Sequence, residues 1–60
     1  MSMRQITFKK GRDLRVVVPD ANLVTWVRDG HQVITRLKDG WVYAESLLRA
    51  GYKAVRDTHA

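Results

Sequence analysis

The sequence predicts an α+β domain made of an N-terminal β-hairpin, a three-stranded antiparallel meander and a C-terminal amphipathic helix. Three observations lead there. Apolar and polar residues alternate through residues 4–9 and again through 14–18, the period of a half-buried strand. Asp-Gly pairs fall at 29–30 and 39–40 between further strand-like runs, and such a pair is a strong short-range hairpin signal because a type I′ turn needs positive φ at both central positions. After Ser46 the apolar spacing changes to that of a helix.

In the first hairpin, Ile6 and Phe8 occupy one side of residues 4–9, and Lys10-Gly11-Arg12 supplies the turn. Centring that turn on Gly11 sets Phe8 opposite Leu14 and Ile6 opposite Val16, with Val18 continuing the same side. Pro19, which has no N–H, ends the second strand. The run Leu23–Val27 holds three β-branched residues and a tryptophan, which favours a strand. The competing reading is a short helix over 21–29 capped by Asp20. With two-residue loops at both Asp-Gly pairs, Trp26 faces Val33 and Leu37 faces Val42, so the meander comprises Leu23–Val27, Gln32–Leu37 and Trp41–Ala44. Ser46 then caps a helix running to Arg56. Gly51 costs about 1 kcal/mol inside such a helix, and this leaves a second reading in which the helix stops at Ala50 and Tyr52–Arg56 forms a last strand.

Sixty residues make a single domain, 1–60, which buries only about 60% of the surface its unfolded chain exposes. There is no cysteine, so neither a disulfide nor a thiolate metal site can staple it; this composition fits a reducing, cytoplasmic setting. No apolar run reaches the length of a membrane span, and no signal-peptide core follows the N-terminus.

Catalysis is not expected. Asp13, Asp20, Asp29 and Asp39 sit at turns, where aspartate satisfies local backbone donors. His31 and His59 have no patterned metal-ligand companions, and no phosphate-cradling glycine loop occurs. No metal or cofactor is expected.

The charge points instead to an anionic partner. The net charge is +5, and residues 1–15 carry Arg4, Lys9, Lys10, Arg12 and Arg15 against Asp13 alone. Lys9, Lys10, Arg12 and Arg15 are therefore candidates for phosphate contact. The meander register places Arg36 opposite Tyr43 and Lys38 opposite Trp41, interleaved cations and aromatics able to stack bases; buried core positions for the two aromatics are the plainer alternative. A third constellation is the stripe Arg49, Lys53 and Arg56 along the expected helix. The leading expectation is a non-catalytic nucleic-acid-binding domain, DNA ahead of RNA. A three-stranded sheet with a packed helix is also the architecture of some small DNA-binding domains that lay the sheet in the major groove. The rivals are a module that docks on an acidic protein surface or inhibits a larger enzyme through Trp26 or Trp41, and a homo-oligomer or assembly subunit that buries one sheet face against a copy of itself.

Overall fold

A computed structural model describes residues 3–59. In chain order it contains β1 (Arg4–Lys10), β2 (Asp13–Val18), a 3-10 turn (Pro19–Ala21), β3 (Leu23–Arg28), β4 (His31–Arg36), α1 (Gly40–Arg49) and β5 (Lys53–His59). The five strands form one antiparallel sheet in the order β4-β3-β2-β1-β5. The last strand therefore returns beside the first, and α1 bridges the two edges of the sheet across one of its faces.

That face holds the core. Ile6, Phe8, Val17 and Val24 are buried beneath Ala44 and Leu47 of α1, with Leu37, Tyr43 and Tyr52 packed around them. Strand alternation explains the choice, because successive side chains leave opposite faces of the sheet.

The first hairpin forms with a register one residue away from the expected one. Its loop is the two-residue Gly11-Arg12 turn, with Gly11 at φ 60°, so Lys10 pairs with Asp13, Phe8 with Arg15 and Ile6 with Val17. A slip of one residue exchanges faces. Val17 becomes core, while Leu14, Val16 and Val18 move to the side away from α1.

Leu23–Arg28 is a strand, and the short-helix alternative over 21–29 is not formed. Trp26 pairs with Val33 as expected. Asp29 and Gly30 have φ of 51° and 77°, the positive values of a two-residue type I′ connection.

The third strand of the meander is absent: Trp41–Ala44 is the first half of α1, so Leu37 does not pair with Val42. Asp39 is extended and acts as the N-cap, its Oδ1 accepting from Trp41 N at 3.1 Å and Val42 N at 3.2 Å. Such a cap satisfies amides that a helix leaves without intrahelical partners. Gly40 is itself a donor, its N–H reaching Asn22 Oδ1 at 2.8 Å. A Cβ at Gly40 would lie 2.3 Å from Pro19 O, so the helix start rests directly on the 3-10 turn. Ser46 is consequently an interior residue rather than a cap, and its hydroxyl donates to Tyr43 O at 2.6 Å.

The helix does not continue to Arg56. Gly51 has φ 98°; its N–H donates to Leu48 O at 3.2 Å, and the N–H of Tyr52 to Leu47 O at 3.0 Å. These two bonds define a Schellman stop, in which a left-handed residue at C′ satisfies the last carbonyls. The second of the two sequence readings of this segment holds, and the strand it starts pairs along β1, with a bulge between Thr7 and Phe8.

Candidate functional site

The sheet has two chemically different faces. On the face turned away from α1, the registers align Gln5, Thr7 and Lys9 of β1 with Leu14, Val16 and Val18 of β2, Leu23, Thr25 and Val27 of β3, Gln32, Ile34 and Arg36 of β4, and Lys53, Arg56 and Thr58 of β5. Among the described residues this face carries four cationic side chains and no carboxylate. All six acids of the chain lie elsewhere. Asp13 and Asp57 are on the α1 side of the sheet, Asp20 is in the 3-10 turn, Asp29 in the β3–β4 turn, Asp39 at the helix cap and Glu45 in the helix.

Lys9, Arg36, Lys53 and Arg56 are exposed, and among the described residues none of them makes a side-chain hydrogen bond or ion pair. Lys9 and Lys53 are direct cross-strand partners, and Thr7 faces Arg56. Like charges directly opposite on a sheet destabilise it, so this corner of the face gains when an anion lies across it. Toward β3 and β4 the same face turns aliphatic: Leu14, Val27 and Ile34 are 47%, 67% and 66% exposed.

The remaining sequence-predicted residues are placed differently. Lys10 donates from Nζ to Ala50 O at 2.6 Å and sits over the Tyr52 ring, neutralising the carbonyl end of α1. Arg15 lies on the α1 side, half-buried; its guanidinium is 4.4 Å from the Trp26 ring, reaches Tyr43 Oη at 2.7 Å and meets Asp13 Oδ2 at 3.3 Å. The Tyr52 hydroxyl also donates to Asp13. That bond is the chief reason the Asp13 carboxyl is held below the usual carboxylate range, and it equally pushes the Tyr52 phenol up. Arg15 and Lys10 are thus engaged in holding the fold. Arg12 is exposed in the β1–β2 turn and Lys38 in the segment before α1.

Arg36 is not opposite Tyr43, nor Lys38 opposite Trp41, because both aromatics belong to α1. Trp41 donates from Nε1 to Asp20 at 2.9 Å and lies under Arg4, 5.4 Å away. The stripe of Arg49, Lys53 and Arg56 is likewise divided: Arg49 pairs with Glu45 on the helix at 2.6 Å, whereas the other two belong to β5. What sequence reasoning missed is the meeting of Lys53 and Arg56 with Lys9. The reading that makes Tyr52–Arg56 a strand names no partner for it, and the bulge between Thr7 and Phe8 leaves no simple register by which its residues could be matched to β1.

Two clefts open on the α1 side. One, of 340 Å³, lies between α1 and the β1–β5 pair, lined by Ile6, Phe8, Ala44, Leu48 and Ala54 with Trp41 and the Arg4–Asp57 ion pair at its rim. Arg4 holds the Asp57 carboxyl below its usual range, chiefly by hydrogen bonding. The other, of 270 Å³, is bounded by Asp13, Arg15, Trp26, Val27 and Arg28. Neither brings a nucleophile together with a base. Among the described residues no group of three or more His, Asp and Glu is placed to hold a metal ion, and no helix is long and apolar enough to cross a membrane.

No protein-family model matches the chain, and no curated protein or solved structure is significantly similar to it.

Proposed function

We propose that the protein is a non-catalytic nucleic-acid-binding domain, for DNA ahead of RNA, that docks through the helix-free face of its sheet. The observation that carries this reading is the segregation of charge among the described residues: four unpaired cationic side chains share that face and all six acidic side chains are kept off it. Lys9, Lys53 and Arg56 form the phosphate-contacting corner, and Arg36 is a fourth contact at the opposite edge. The face holds no aromatic ring, because Phe8 and Trp26 point to the α1 side and Trp41, Tyr43 and Tyr52 lie in or next to the helix. This favours a duplex over a single strand, whose non-specific binding relies on stacking platforms. Five strands at about 4.8 Å spacing span more than the roughly 12 Å of a major groove. The sheet therefore lies across phosphate backbones and does not enter the groove, and sequence preference is weak.

Fluorescence anisotropy of a labelled duplex against salt tests the reading. Binding should fall steeply, with a log–log slope near −0.9 per phosphate neutralised. Changing Lys9 and Lys53 together to Ser should make the slope shallower by about two units, whereas Lys10→Ser should leave it unchanged. No duplex binding at low salt, or a slope indifferent to Lys9 and Lys53, refutes it. The exposed Leu14, Val27 and Ile34 support a second reading, an acidic protein partner with its own apolar patch. That reading gives a discrete protein complex with no affinity for duplex.

A further inference from the structure

The two edges of the sheet are treated differently by the sequence. An edge strand offers a row of unpaired N–H and C=O groups, and proteins blunt such edges with charges, prolines or bulges. β5 is blunted. It carries Lys53, Arg56 and Asp57, and a bulge breaks its register against β1. β4 is not. Its six residues pair with β3 in unbroken register from His31 to Arg36, and between those ends lie only Gln32, Val33, Ile34 and Thr35, without charge, proline or glycine. Ile34, at the middle of this open edge, is 66% exposed, and Val27 on the neighbouring strand is 67% exposed.

We infer that β4 pairs with β4 of a second copy of this chain, antiparallel about a two-fold axis at Ile34, joining two sheets into one of ten strands. Symmetry restricts the registers. Directly opposed residues of an antiparallel pair share a face, so a two-fold axis normal to the sheet must pass through a residue position and not between two. With Ile34 on the axis, Ile34 meets its own copy, Val33 meets Thr35 and Gln32 meets Arg36. No like charges are opposed. The exposed Ile34 and Val27 of both copies become one apolar strip across the seam. A second copy is favoured over a foreign strand because the edge is self-complementary in this way, and because a core of six buried hydrophobic residues among those described is small enough to gain from a larger sheet.

The inference is independent of nucleic acid and is tested without it. Sedimentation equilibrium should give a mass twice the 6.9 kDa of the chain, falling to the monomer mass on dilution. The protein has no cysteine, so an Ile34→Cys variant gives a clean readout. Opposed residues about 4.5–5.5 Å apart are within disulfide reach, and mild oxidation should convert this variant to a covalent dimer at protein concentrations that leave Val55→Cys, on the blunted edge, monomeric. Ile34→Lys sets two cations on the axis at a position exposed within each chain. It should abolish the dimer while retaining the far-UV circular dichroism of the parent. A parent that stays monomeric at millimolar concentration, or Ile34→Cys cross-linking no faster than Val55→Cys, overturns the inference while leaving the nucleic-acid reading to stand or fall on the salt titration.

Discussion

Asp29-Gly30 and Asp39-Gly40 are the same dipeptide ten residues apart, and the chain uses them for opposite ends. At the first, both residues have positive φ and reverse the chain between β3 and β4. At the second, Asp39 is extended with φ −148°, and its carboxylate caps a helix. Glycine is required at both sites for different reasons. Gly30 has open space where a Cβ would go and is needed for its φ of 77°; Gly40 is needed because Pro19 occupies the place of a side chain. Local sequence supplies the residues of a turn or a cap, and the surroundings decide which is built.

The largest test of this difference is Gly40→Ala. Its added Cβ meets backbone atoms of Pro19, which cannot swing aside as a side chain would. Urea denaturation should show a loss at or above the upper end of the roughly 1–3 kcal/mol typical of overpacking, with α1 displaced from the 3-10 turn. A neutral Gly40→Ala would mean that the helix start does not rest on Pro19. Gly30→Ala comes next. It should cost about 1–2 kcal/mol through the left-handed backbone alone, with no repacking of the core seen by NMR. Gly51→Ala, at φ 98°, should behave as Gly30→Ala does; stabilisation there would restore the continuous helix.

The two aspartates should separate more gently. Asp39→Ala should lose about 1 kcal/mol, the usual value of an N-cap. Asp29→Gly should be neutral or slightly stabilising, because φ 51° suits glycine; an equal loss at both positions would erase the distinction drawn here. The smallest effect belongs to Ser46→Ala. With its hydroxyl bonded to Tyr43 O on the exposed side of an established helix, the change should stay within about 0.5 kcal/mol. A full cap-sized loss would move the helix start back to Ser46.

The sequence by itself determined the strands whose evidence is local. Alternation in 4–9 and 14–18, β-branched residues in 23–27 and the Asp29-Gly30 turn each specify backbone over a few residues, and all of these strands are present. It also showed the excess of positive charge within residues 1–15. Tertiary structure decided what depends on residues distant in sequence. The register of the first hairpin was settled by which of Val16 and Val17 fits beneath Ala44 and Leu47, and one residue of slip exchanges whole faces. The identity of Trp41–Ala44 as helix was settled by Asn22 and Pro19, which receive the Gly40 end. The charged corner needed the longest reach: Lys9 and Lys53 become neighbours only because the helix stops at Gly51 and β5 returns to β1. A chain read in order cannot place them together, since nothing local to either lysine encodes the crossing.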